Sequence, residues 1–387
     1  MNKRLNDLKQ LLRMLDITIT MHKNAENKYK AIAKYLQENG LECDIYPQGS
    51  FALGTVVRAH KKVKNENYDL DFICLIKVNK NTTTAEIIKT KVGELLKQHE
   101  VYSKILTEYD KCWTLSFPEE FNIDIIPAAE DEKIELSYNF ITKDRIAITD
   151  KKKESYIWLM SNPKGYTEWF EYINKPFLDY NLTQRTNEFC AKNDGKIDEI
   201  PDYDEKSSLQ MVIQILKRHR DIYFDMIKKD DKKPISAIIT TISAKIAEHA
   251  PKNYNVFELL EYIANEFSIY AMRNTISEDD FDKRYINKNV IKKSKDNWEI
   301  LNPVNPTDNL ADQWNEDPEK AVLFFKWTEV MKENLVNTKE KDDLDFITGV
   351  ERGFGSDFVR KSIDRSAYTP KIEKTIPERK PWRKNGR

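Results

Sequence analysis

The sequence predicts an α+β fold in two lobes, the first mixing short strands with helices and the second mainly helical. Three observations carry this. At 387 residues the chain exceeds what a single hydrophobic core supports. Between about residues 40 and 130, apolar side chains recur at alternate positions, the period of a strand with one buried face. After the basic run Lys151-Lys152-Lys153 the period lengthens to that of long helices. These changes divide the chain into residues 1–152, residues 153–345 and a basic tail, residues 346–387.

Residues 1 to about 40 read as two helical segments, the second, AENKYKAIAKYLQENG, stopped by Gly40. LECDIY is a short strand that leads into Gly49-Ser50. NYDLDFICLIKV is a strand in which Leu70, Phe72, Cys74 and Ile76 alternate with Asp69, Asp71, Ile73 and Leu75. TTTAEIIKTKVGELLKQHE is a helix with a threonine cap, and KCWTLSFPEEFNIDIIPA is a hairpin turning at Pro118-Glu119-Glu120. In the second lobe, SSLQMVIQILKRHRDIYFDMIKK, PISAIITTISAKIAEHA, NVFELLEYIANEFSIYAMRN and DPEKAVLFFKWTEVMKENLV all read as helices. LNPVNPTDNLADQW, rich in Pro and Asn, is the most distinctive loop between them. The end, GFGSDFVRKSIDRSAYTPKIEKTIPERKPWRKNGR, lacks sustained periodicity and reads as a flexible or loosely docked tail.

Composition narrows the function classes. The chain is 40% apolar and 33% charged, and no apolar run approaches the roughly 18 residues a membrane span needs. Its first residues form a charged amphipathic pattern, not the apolar core of a signal peptide. These features predict a cytoplasmic protein without a membrane partner. The net charge is −1, yet eleven Lys/Arg against five Asp/Glu follow from Glu351 onward, so the rest is acidic. That balance argues against a protein that coats nucleic acid. Cys43, Cys74, Cys112 and Cys190 lack C-x-x-C spacing, and the first three fall in apparent strands as buried thiols. Zinc and disulfides are therefore not expected. His219 and His249 read as helix-surface or hydrogen-bonded histidines, and Trp158, Trp169, Phe324, Phe325 and Trp327 as packing. Lys151-Lys152-Lys153 reads as a solvated hinge.

One set of residues points to chemistry. Asp-x-Asp alone means little, because Asp202-Tyr203-Asp204, Asp280-Phe281-Asp282 and Asp343-Leu344-Asp345 also occur. Asp69-Leu70-Asp71 differs by opening a strongly apolar strand, with both carboxylates on one face about 7 Å apart. Unpaired, such carboxylates repel, and a hard divalent cation resolves the conflict. In FNIDIIPA, Phe121, Ile123 and Ile125 face the core, which puts Asn122, Asp124 and Ile126 on the other face. If that strand lies beside the first, three carboxylates converge, the minimum for two metal ions about 4 Å apart. Gly49-Ser50 adds a turn where backbone N–H groups can approach a phosphate, with a helix starting just after it.

QGSFALGTVVR, YDLDFICLI and FNIDIIPA together resemble the nucleotidyltransferase signature of the DNA-polymerase-β-like superfamily. More narrowly, they resemble the bacterial cGAS/DncV-like nucleotidyltransferases (CD-NTases) of CBASS anti-phage systems. The long insertion between Gly-Ser and Asp-x-Asp and the segment LQMVIQILKRHRDIYF…KPISAIITTISA fit that group. The resemblance runs from about residue 40 to about residue 325. It implies a polymerase-β-like lobe, a helical lobe and an active site in the cleft between them. Asp69, Asp71 and Asp124 match the metal triad, and Gln48, Gly49 and Ser50 the loop that touches the triphosphate. Lys217 and Ser236 match positions that contact the donor phosphates. Gln210, Gln214, Lys217 and Asp221 do form a polar stripe on their helix, which by itself fits a solvated face as well.

The resemblance further implies two Mg²⁺ ions, replaceable by Mn²⁺, and NTP substrates joined into a cyclic di- or trinucleotide that activates a co-encoded effector. A linear nucleotidyltransferase and a catalytically silent scaffold are the alternatives. No His/Cys cluster matches a cGAS-like zinc insertion, so no DNA activator is implied. The basic end PERKPWRKNGR is accessible to a conjugating or regulatory partner, although Arg387 matches no clear conjugation motif.

Overall fold

The computed structural model describes residues 2–58, 68–118, 121–131, 145–153, 155–192, 206–295, 297–364 and 368. Helices α1 (Asn2–Leu15) and α2 (Ile19–Glu38) come first. The Thr18 hydroxyl caps α2 by accepting from Met21 N–H at 3.2 Å, and Gly40 at φ +83° turns the chain out of it. β1 (Cys43–Pro47), the short helix α3 (Gly49–Ala52), β2 (Tyr68–Asn79) and α4 (Ala85–Gln98, capped by Thr84) follow. Then come β3 (Leu106–Glu108), β4 (Trp113–Phe117), β5 (Phe121–Glu130), β6 (Ile146–Lys152) and β7 (Ser155–Ser161).

These strands form one mixed sheet in which β1, β2, β5, β4 and β3 lie side by side, while β6 extends from the far end of β5 and pairs with β7. β2 and β5 run parallel and the other pairings are antiparallel. One face is apolar: Leu70, Phe72, Cys74, Leu115, Ile123 and Ile125 pack against Ile32 and Leu36 of α2 and Ile88, Val92 and Leu96 of α4. The other face changes character along its length, with Asp69, Asp71 and Asp124 at one end and Ile73, Ile126 and Ala128 in a small core further on.

The sheet does not end at Lys152. β7 continues it, because SYIWLMS is too short and too rich in aromatic and branched residues for a helix. Lys151 and Lys152 flank a hairpin tip where a hinge was expected, their ammonium groups 3.0 Å from Glu108 and Asp150. Gly93 lets α4 approach the sheet, since a Cβ there would sit 2.0 Å from the Trp113 ring. Trp113 cannot yield easily: it is buried, and its indole N–H donates to Lys89 O at 3.0 Å. Gly93→Ala is expected to cost about 1–3 kcal/mol, read as a lowered thermal midpoint. An unchanged midpoint would mean that α4 packs less closely than described.

The remaining elements are α5 (Pro163–Lys192), α6 (Ser208–Met226), α7 (Ser236–Ala247), α8 (Val256–Ala271) and α9 (Glu278–Arg284), then β8 (Lys292–Ser294) paired with β9 (Asn297–Glu299). They continue with β10 (Leu301–Asn302), β11 (Asn305–Asn309), α10 (Asp312–Glu316), α11 (Pro318–Met331), α12 (Asp343–Phe354) and α13 (Ser356–Ser362). The helices share a large apolar core that includes Trp169, Phe324, Phe325 and Trp327, as expected, while Trp158 packs at the edge of the first core. The distinctive Pro/Asn-rich loop is a hairpin, β10 pairing with β11.

The stretch 346–363 is not a loose tail. Phe346, Ile347, Val350, Phe354 and Val359 are buried in α12 and α13. Two glycines that weaken the helical signal are needed for contact: Cβ atoms on Gly349 and Gly353 would meet Asn334 O at 2.1 Å and Leu335 at 2.7 Å. Arg218 of α6 donates to Phe354 O at 3.1 and 3.0 Å, and the Tyr368 hydroxyl bonds Asp7. Residues 369–387, with the proposed conjugation end, lie outside the described residues, as does Asp202-Tyr203-Asp204. Among the described residues, no helix is long and apolar enough to cross a membrane.

Candidate active site

The Gly-Ser turn is built against β2. Gln48 N–H donates to Asp71 O at 2.9 Å, then Gly49 takes φ +61° and opens α3. A Cβ on Gly49 would lie 3.1 Å from Asp71 Oδ2, so glycine is favoured by both backbone and space. With four residues, α3 offers a turn of free N–H groups and little of the macrodipole expected of a longer helix.

The parallel pairing of β2 with β5 sets Asp71 directly beside Asp124 and Asp69 beside Asn122. Two neighbours engage the outer carboxylates: Asn122 Nδ2 donates to Asp69 at 2.9 Å, and the Thr114 hydroxyl donates to Asp124 from β4. Among the described residues, none donates to the Asp71 carboxylate. Burial pushes Asp71 up to about 7, with Asp124 and Asp69 raising it further and Lys217 opposing. Burial also raises Asp124, against the Thr114 hydrogen bond. A half-buried carboxylate beside two others, without a hydrogen-bond donor, is a setting a divalent cation relieves, and an all-oxygen donor set suits Mg²⁺. As they stand, the three do not form a closed ligand set: among the described residues no three His, Cys, Asp or Glu side chains do.

A cleft of about 720 Å³ runs from this edge of the sheet to α6 and α7. Gln48, Gly49, Ser50, Asp69 and Asp71 line one side and Lys217 and Ser236 the other, while Asp124 lies behind, against Asp71. The α6 stripe is neither a solvated face nor a row of free ligands. Gln210 donates to Leu53 O at 2.9 Å, Gln214 to Val56 O at 2.7 Å, and Lys217 to Thr55 O and Oγ1 at 3.2 and 3.0 Å. It clasps the segment that follows the Gly-Ser turn. Burial, with Arg220 next, lowers Lys217 to about 7, while Asp221 and Asp71 act the other way. Ser236 is the first residue of α7, and its hydroxyl accepts from Arg220 at 3.1 Å.

Several lining or supporting residues escaped the sequence reading. Arg220 and Lys233 both pair with Asp221 at the cleft, at 2.8 and 3.3 Å. Thr114 could have been found, since the hairpin register sets it opposite Asp124. Asn302 and Asp308 reach the cleft from the β10–β11 hairpin, which no local signal announced. His219 is buried in the core, where Nδ1 accepts from Trp327 at 3.0 Å and burial lowers it to about 3, so it stays neutral. His249 is exposed.

Comparison with known proteins identifies the chain's relatives. Residues 3–174 match the Second Messenger Oligonucleotide or Dinucleotide Synthetase domain. A protein of Roseivirga ehrenbergii named c-di-GMP synthase is 31% identical over 348 residues, covering 88% of this chain and 81% of that protein. The CD-NTase CdnG of Bradyrhizobium diazoefficiens, solved in complex with GTP, superposes with a TM-score of 0.66 at 17% identity, over 92% of this chain and 96% of that one. CdnC of E. coli MS115-1, solved in a complex with HORMA-deltaN, gives 0.58 at 14% identity over 91% and 96%. At these identities the structural likeness establishes the fold. The chain therefore belongs to the Second Messenger Oligonucleotide or Dinucleotide Synthetase family, the cGAS/DncV-like nucleotidyltransferases with a polymerase-β-like fold, and is an enzyme of the cyclic-oligonucleotide synthase class.

Proposed function

We propose that this enzyme joins two NTPs, at least one of them GTP, into a cyclic dinucleotide in a Mg²⁺-dependent reaction at Asp69, Asp71 and Asp124. The observation that carries it is the Asp71 carboxylate, half-buried at the cleft beside Asp124 in register and close against Gly49, without a hydrogen-bond donor among the described residues. Mg²⁺ held by the three carboxylates would neutralise the triphosphate and acidify the acceptor hydroxyl. The chain's own groups do the rest. N–H groups of the Gly49-Ser50 turn would meet the phosphates, and Lys217 and Ser236 line the cleft across from that turn. Asp124, with its carboxyl raised by burial, accepts the ribose hydroxyl proton as that oxygen attacks the α-phosphate and pyrophosphate leaves. A second attack, after the linear intermediate turns in the cleft, closes the ring and releases a second pyrophosphate.

The name of the R. ehrenbergii relative supports guanine as a base. By the same family reading, the product signals to a co-encoded effector in anti-phage defence, and the HORMA complex of the E. coli protein supports regulation by a partner protein. The test is incubation with four labelled NTPs and Mg²⁺ or Mn²⁺, then phosphatase treatment and nuclease mapping. A phosphatase-resistant product containing guanine is expected. Only linear or tailed species would favour a linear transferase. No product with either metal would leave a silent scaffold.

A further inference from the structure

We propose that Asp308, on the β10–β11 hairpin, selects guanine over adenine in one of the two nucleotide positions, an inference that rests on the nucleotide-joining reading above. The hairpin is stiffened by its asparagines. Asn309 accepts from Ile300 and Ala311 N–H at 2.9 and 3.1 Å and donates to Trp298 O at 3.0 Å, tying β11 to a buried tryptophan. Asn302 accepts from Val304 N–H at 3.1 Å and donates to Asp308 Oδ2 at 2.8 Å, which fixes the carboxylate. The result is a rigid wall from which Asn302, Asp308 and Leu310 line the cleft.

α7 measures where that wall stands. Ser236, at its first turn, lies at the phosphate end, and Lys245 donates to Leu301 O at 2.6 Å, docking the hairpin nine residues later. That is about 13 Å along the helix axis, the direction in which a nucleotide runs from its phosphates to its base. On α6, Asp221 pairs with Arg220 and Lys233 at 2.8 and 3.3 Å, and Asp225 lies 3.7 Å from Lys228. Asp308 accepts from the neutral amide of Asn302, and among the described residues nothing bonds its second oxygen. A fixed carboxylate, an acceptor only, matches the N1–H and N2–H donors on the guanine edge. It faces the N1 acceptor of adenine with like polarity, so it rejects as well as selects.

The experiment uses the full chain with GTP, ITP and ATP, singly and mixed, and compares wild type with Asp308→Asn and Asp308→Ala. ITP keeps N1–H and lacks the N2 amine. Wild-type incorporation should fall in the order GTP, ITP, ATP. Both variants should lower the GTP-to-ATP ratio in the product at least about tenfold, with the GTP-to-ITP step flattened and the thermal midpoint retained. Binding of a non-hydrolysable GTP analogue should weaken in parallel, which keeps the test decisive if a variant turns over poorly. An unchanged base ratio with unchanged analogue binding, or a wild-type preference for ATP, overturns the assignment while leaving nucleotide joining intact. A wild type that joins no nucleotides with Mg²⁺ or Mn²⁺ overturns the underlying reading and this inference with it.

Discussion

Replacing Asp71 by asparagine is expected to lower nucleotide joining on the order of 10³-fold or more while making the metal-free protein more stable at pH 8. The two effects share a cause. The Asp71 carboxyl is pushed up to about 7 from an ordinary 3.8, first by burial and then by Asp124 and Asp69. Folded metal-free protein thus holds a proton that the unfolded chain has released. Its contribution to stability is fully present below about pH 4 and is lost as pH rises toward 7. Asparagine keeps the shape and carries no charge to repel its neighbours. In chelator at pH 8 the variant should melt higher by about 1 °C or more, on the order of 1 kcal/mol or more. The gap should narrow at pH 5. Equal midpoints at pH 8 would show that the Asp71 charge is already compensated without metal.

Gly49→Val is the second large effect. Valine at φ +61° carries the left-handed penalty of about 1–2 kcal/mol, more for its branched Cβ. That Cβ would also stand 3.1 Å from Asp71 Oδ2 and displace either the turn or the carboxylate. Because positioning errors of about 1 Å cost on the order of 10²-fold in rate, turnover should fall by about that factor, with a modest drop in thermal midpoint. Gly49→Ala should fall between the two. Turnover near wild type in Gly49→Val would remove the turn-to-Asp71 contact from the site.

Much of this was legible because strand period two is strict. It assigns Asp69 and Asp71 to one face of β2 and Asp124 to the polar face of β5 from the sequence alone. It could not say that the strands, some fifty positions apart in sequence, lie side by side with Asp71 opposite Asp124. Strand neighbours are decided by the whole sheet. The clasp from Gln210, Gln214 and Lys217 was hidden for a related reason. Its partners are backbone carbonyls of Leu53, Thr55 and Val56, which any sequence would supply. The α12 helix was missed because Gly349 and Gly353 lower propensity in the very places where close packing repays it. The hairpin bearing Asp308 depends on asparagine side chains bonding the backbone, a pattern that reads only as a loop.

In the proposed reaction, Asp69, Asp71 and Asp124 act as one unit. It is tested most directly by single-turnover rates on labelled GTP for Asp69→Asn, Asp71→Asn, Asp124→Asn and the triple variant. Groups that act together are non-additive, so each single change should lose nearly as much activity as all three. Near wild-type turnover in any single variant, or losses that simply multiply, would contradict it.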